Sequence, residues 1–121
     1  MINAILFGTV FGLFVGFFVA RRSHRQDPIY GGGLAQGLHY LSASIVSAMP
    51  VTVIGVIITT HGAGSIWLRL GYALLTAMAL SALMYTSAFL FATVERPARE
   101  AALQRKTQLG WTEEDARTSG L

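Results

Sequence analysis

Charged residues are missing from three stretches of this chain, 1–20, 34–60 and 70–94. Between them the sequence turns abruptly polar or glycine-rich. Long apolar runs with charge confined to the joints are the signature of membrane-spanning helices, since an 18-residue or longer run of this kind suits the hydrocarbon core. At 1.5 Å per residue, a run of about 20 residues reaches about 30 Å, one hydrocarbon thickness. The pattern predicts transmembrane helices over 1–20, 34–60 and 66–94, so the fold class is an all-α membrane protein with three transmembrane helices.

The joints carry their own signals. Residues 21–33 form a basic connection with Arg21, Arg22 and Arg25, then Asp27-Pro28 as a turn starter, then Gly31-Gly32-Gly33 as a flexible joint. Residues 61–65 contain His61-Gly62-Ala63-Gly64, a tight turn, with Ser65 placed to cap the third helix. So short a link predicts that the second and third helices are antiparallel neighbours. Trp67 and Tyr72 stand near that end as interface anchors. Pro50, in the middle of the second run, removes a backbone hydrogen bond and predicts a kink.

Residues 95–121 form a tail. Pro97 is expected to bend or end the third span, with Ala98–Gln108 as a short amphipathic C-terminal helix closed by Gly110. Trp111 followed by Thr112-Glu113-Glu114-Asp115 resembles a capping box and predicts one more helical turn.

Small residues recur at helical spacing. Gly8, Gly12, Gly16 and Ala20 fall every fourth residue, flanked by Phe7, Phe11, Phe14, Phe17 and Phe18. Residues four apart share a helix face, so this run carries a groove nearly free of side chains. In water each glycine weakens a helix by about 1 kcal/mol relative to alanine. In lipid the same stripe is a contact face, because it lets another backbone approach closely. Ala73, Ala77 and Ser81 repeat the spacing in the third run, and Ser44/Ala48 and Ala43/Ser47 in the second. The glycine stripe is expected to meet either the other two helices or a partner chain.

Composition reinforces the membrane reading. Only 12% of residues are charged, against about 25% in soluble domains. The sequence pI near 9.8 comes from arginines beside the spans, which points to anionic lipid at the cytoplasmic face and not to nucleic acid. Arg21, Arg22, Arg25, Arg96, Arg99, Arg105, Lys106 and Arg117 fall on one side and only Arg69 on the other. The positive-inside rule then places the N-terminus outside and the tail in the cytoplasm. Charge follows the first run and does not precede it, so a retained first helix is expected and not a cleaved signal peptide. The expected location is a bacterial inner or intracytoplasmic membrane.

Candidate chemistry is sparse. The chain has no cysteine, which removes disulfides, thiolate metal sites and Cys nucleophiles. The acids, Asp27, Glu95, Glu100, Glu113, Glu114 and Asp115, all fall in the joints or tail. Ion-coupled transport and proton pumping place ionisable groups inside the spans, and the spans hold no Asp, Glu, Lys or Arg. No catalytic constellation and no metal-ligand spacing can be assembled, so no enzyme is expected.

One histidine stands in a suggestive context. Ala35-Gln36-Gly37-Leu38-His39 resembles the Ala-x-x-x-His element of bacterial light-harvesting polypeptides. There the histidine ligates the bacteriochlorophyll magnesium and the small residue makes room for the ring. The resemblance implies His39 as a pigment or haem ligand. It covers five residues, and antenna polypeptides span the membrane once with this histidine toward the periplasm, whereas the orientation above puts His39 toward the cytoplasm. The plainer expectation is a hydrogen bond to Ser42, to a neighbouring helix or at the interface.

These features point to a non-catalytic accessory subunit of a larger energy-transducing complex, photosynthetic or respiratory, held to other transmembrane subunits by small-residue faces. Such a subunit needs no cofactor of its own but can touch bacteriochlorophyll, carotenoid, quinone or lipid. Two alternatives fit the same pattern: a holin-like or channel-forming homo-oligomer, since three spans and a basic tail resemble the plan of phage holins, and a small membrane assembly factor.

Overall fold

A computed structural model of the chain describes residues 1–62 and 64–108. Among the described residues all regular structure is helical: α1 (Ile2–Gln26), α2 (Gly32–Thr59) and α3 (Ile66–Gln108). Each is long and apolar enough to cross a membrane, with mean hydropathy 2.2, 2.2 and 1.7 over its most apolar stretch.

The helix ends differ from those predicted. Helix α1 runs on through Arg21–Gln26, because nothing breaks it before Asp27-Pro28. Arginine is a good helix former, and His24 and Arg25 in the last turn suit the negative end of the helix dipole. Helix α2 starts at Gly32, so two of the three glycines expected to form a flexible joint lie in its first turn. Gly32 has φ +74°, a left-handed entry that glycine makes without strain. Helix α3 is the largest departure. It is one helix of 43 residues with Pro97 inside it, and Ala98–Gln108 is its last part, not a separate helix. A proline removes one intrahelical bond, here the one to the Thr93 carbonyl, and the turns on either side carry on. Pro50 likewise lies within a continuous α2. Gly110, Trp111 and the Thr112–Asp115 turn lie outside the described residues.

Helix α2 is the central element. Helices α1 and α3 each pack along it, and among the described residues they do not pack on each other. The three helices therefore form a single layer, in the order α1, α2, α3.

The two seams have different periods. On α1 the buried residues are Ala4, Gly8, Gly12, Gly16 and Ala20, a strict repeat of four. Buried Ser44, Ala48, Thr52 and Val56 repeat it on α2. On α3 the side toward α2 holds Ala73, Ala77, Leu80, Met84, Ser87, Phe91 and Val94, all buried or half-buried. Their steps alternate between four and three, a heptad pattern. Repeats of four suit the close right-handed crossing of small-residue helices, and heptads suit the wider left-handed one.

Hydroxyls on these seams are satisfied at home. Ser44 Oγ donates to the Tyr40 carbonyl and Thr52 Oγ1 to the Ala48 carbonyl, each at 2.8 Å. In lipid an unpaired hydroxyl is costly. With the proton turned back onto its own helix, each side chain can press against a glycine of α1.

Candidate functional site

The glycine stripe is filled by α2. A Cβ on Gly8 would overlap the Thr52 hydroxyl. One on Gly12 would stand 2.5 Å from Ala48 Cβ and 2.6 Å from the Ser44 carbonyl oxygen, and one on Gly16 2.5 Å from Ser44 Cα. Ala4 closes the row against Gly55, whose Cβ would come within 2.9 Å of Ala4 Cβ. Ala20 is buried at the other end. Of the two partners the sequence allowed for this stripe, the one present is internal, and the stripe offers no open groove to another chain. Tyr40 adds a polar tie across the seam, donating its hydroxyl to the Leu13 carbonyl at 2.8 Å. Its ring stands edge-on to Phe17.

On α3, Ala73 is buried and Ala77 and Ser81 are half-buried. The polar contact between α2 and α3 lies elsewhere, where Ser42 Oγ and Ser87 Oγ meet at 2.8 Å. Ser42 also reaches the Leu38 carbonyl at 3.0 Å and Ser87 the Met84 carbonyl at 2.9 Å. Two protons serve three contacts, so one hydroxyl turns to its own backbone while the other crosses the seam.

His39 does not make the hydrogen bond expected to Ser42. Its ring lies against Phe91, 5.6 Å between centroids, and its Nε2 is covered without a hydrogen-bond partner. A pigment or haem approaching Nε2 would have to displace the side chains that cover it.

The best-defined polar site was not predicted. Glu95 is only 8% exposed. Its Oε1 accepts from the Tyr30 amide at 2.9 Å, and its Oε2 from the Tyr30 and Gly31 amides at 3.1 and 2.8 Å. Gly31 is the residue that precedes α2. Glu95 therefore caps the start of α2 from across the bundle, supplying acceptors to free N–H groups and a negative charge to the positive end of the helix dipole. A Cβ on Gly31 would come within 3.1 Å of Glu95 Oε2, so the absent side chain lets the carboxylate in. One turn on, Arg99 pairs with Asp27 at 3.6 Å and lies over the Tyr30 ring, 5.9 Å from its centroid. The connection between α1 and α2 is thus held by α3.

The far end of α2 has the opposite arrangement. Arg69 Nη2 donates to the His61 carbonyl at 2.7 Å and Nη1 meets His61 Nδ1 at 2.8 Å. A cation there suits the negative end of the α2 dipole. Neither end shows a nucleophile paired with a base. Among the described residues no three His, Cys, Asp or Glu side chains converge as a metal site would require. What the arrangement does is hold three helices in register.

No known protein family, characterised protein or solved structure matches this chain.

Proposed function

We propose that this chain is a non-catalytic structural subunit of a larger membrane complex. The observation that carries the reading is the length of α3. Its apolar part ends at Val94, yet the helix continues through Gln108, an extension of about 20 Å. Glu95 and Arg99 brace the base of that extension against the first connection. Beyond it Glu100, Arg105 and Lys106 are exposed. A rigid charged arm above a membrane layer is a means of engaging other subunits. The spans support the same reading, since 1–20, 34–60 and 70–94 hold no Asp, Glu, Lys or Arg, and Glu95 and Arg69 stand at their margins.

Because α2 fills the glycine stripe, other transmembrane subunits meet the outer faces of the layer, where Phe7, Phe14, Leu74 and Phe89 are exposed. The orientation we propose places the arm and the arginine-rich connection in the cytoplasm, by the positive-inside rule. The host we propose is an energy-transducing complex, photosynthetic or respiratory, of a bacterial inner or intracytoplasmic membrane, a setting that often recruits small polytopic subunits. Extraction in mild detergent, native electrophoresis and mass spectrometry test this. The chain should migrate in a larger assembly with other membrane subunits, and pigment or haem absorption bands should identify the host class. Migration as a free monomer or as a small homo-oligomer would overturn the proposal.

A further inference from the structure

Where α1 leaves the apolar region beside the start of α2, an open cleft of about 520 Å³ separates the two helices. Clefts that hold small ligands span about 300–1,000 Å³. Its α1 wall carries Phe17, Arg21 and His24, and its α2 wall Gly33, Gln36 and Gly37. Arg21 is the first charged residue after the apolar run, so the cleft opens at the depth where lipid phosphates lie.

Three observations converge on one occupant. First, the cleft is basic. Arg21 and His24 line it, Arg22 and Arg25 stand around an adjoining pocket that shares Arg21, and among the described residues no acid lines either. Asp27 pairs with Arg99, and Glu95 with the Tyr30 and Gly31 amides. Second, the cleft is amphipathic along its length. It shares Phe17 and Tyr40 with an apolar groove that continues toward mid-membrane past Leu13 and Phe14. Third, its glycines have no internal reason to be glycine. A Cβ on Gly33 or Gly37 would meet nothing within 4 Å, unlike Gly8, Gly12 and Gly16. Both lie within α2, where glycine weakens a helix by comparison with alanine.

We propose that this cleft binds one anionic phospholipid, with its phosphate on the Arg21 guanidinium, its glycerol backbone beside Gly33 and Gly37, and an acyl chain along the Phe17–Phe14 groove. Guanidinium is suited to phosphate, which it can hold through two parallel hydrogen bonds. The site is independent of which complex the chain belongs to, and it can be read on the purified chain itself.

The test is native mass spectrometry of the full chain in mild detergent with equal amounts of phosphatidylglycerol and phosphatidylcholine, and mapping with a photoactivatable phosphatidylglycerol. One phosphatidylglycerol should be retained in preference to phosphatidylcholine, and the crosslink should fall within 17–24 or 33–40. Gly37→Leu fills the cleft without changing charge and should abolish retention; circular dichroism should show its helicity intact. Arg21→Gln should weaken retention by about five-fold or more, the scale of one arginine at an anionic surface. Arg22→Gln removes the same charge from beside the cleft and should weaken it less. Equal retention of the two lipids would overturn the proposal. So would undiminished binding by Gly37→Leu, equal losses in Arg21→Gln and Arg22→Gln, or a crosslink on another segment, which would mean diffuse attraction or occupation by another chain.

Discussion

Glu95 and Arg69, both on α3, grip opposite ends of α2. They stand 26 positions apart (95 minus 69), about 39 Å along a helix. Helix α2 has 28 residues, about 42 Å by the same rise. The match places an anion at the positive end of the α2 dipole and a cation at its negative end, each through hydrogen bonds to main-chain groups. Glu95 carries more of this, because it is buried and accepts from two amides. Replacing it with Ala should leave those amides without acceptors and destabilise the fold by about 2 kcal/mol. Hydrogen exchange should then quicken at Tyr30 and Gly31. Unchanged exchange there would mean that the carboxylate is a bystander.

Arg69→Ala should have a smaller effect, about 0.5–1 kcal/mol, since it acts on an exposed turn through the helix dipole and its two contacts to His61. Protease cutting within 60–65 should rise. Arg69→Lys should restore only part of the protection, because an ammonium cannot reach two acceptors as a planar guanidinium does. At this separation the Glu95→Ala and Arg69→Ala effects should add to within about 0.5 kcal/mol in a double-mutant cycle. A larger coupling would show that α2 responds as one rigid dipole and not as two separate ends.

How much of this was readable in the sequence depends on where each residue's partner lies. The spans were legible because a run without charge reports its solvent directly, and the glycine stripe because small residues four apart have few other uses in lipid. The break between α1 and α2 was legible at Asp27-Pro28, but the helical state of Arg21–Gln26 was not, since a basic segment after a span reads equally as loop. Pro97 left open whether the helix bends or ends there, for a related reason: a single proline costs one hydrogen bond, and neither its neighbours nor its spacing says whether a long helix absorbs that. Glu95 was hidden more deeply. Its partners are the main-chain amides of Tyr30 and Gly31, groups that nearly every residue possesses, so no complementary side chain marks them. The one available signal was geometric. An antiparallel hairpin of α2 and α3 brings the residue just after the third span beside the start of the second, and that residue is an acid.

The Ser42–Ser87 contact should prove modest. Interhelical hydrogen bonds in membranes average about 0.6 kcal/mol by double-mutant cycle, and each of these hydroxyls has a main-chain carbonyl of its own to fall back on. Ser42→Ala and Ser87→Ala should each cost little, with a coupling energy near that average. A coupling several times larger would mean that the seam depends on this pair for its register, more than on the heptad of Ala73, Leu80, Met84 and Phe91 around it.

The α1–α2 seam should be far less tolerant. Gly12 faces Ala48 and the Ser44 backbone so closely that even a methyl group collides, and neither neighbour is the end of a flexible chain that could swing aside. Overpacking typically costs about 1–3 kcal/mol and more where backbones must part. Gly12→Leu should therefore pry α1 from α2 while leaving insertion intact, because the change makes α1 more apolar. The chain contains no cysteine, so a pair introduced at Ala4 and Gly55, which face each other across the same seam, reports the packing directly. Oxidation should link Ala4→Cys to Gly55→Cys within one chain, and Gly12→Leu should suppress that link. Linkage between chains in place of linkage within one would show that the stripe joins two copies. Linkage within the chain that survives Gly12→Leu would show that the seam closes without the glycine repeat.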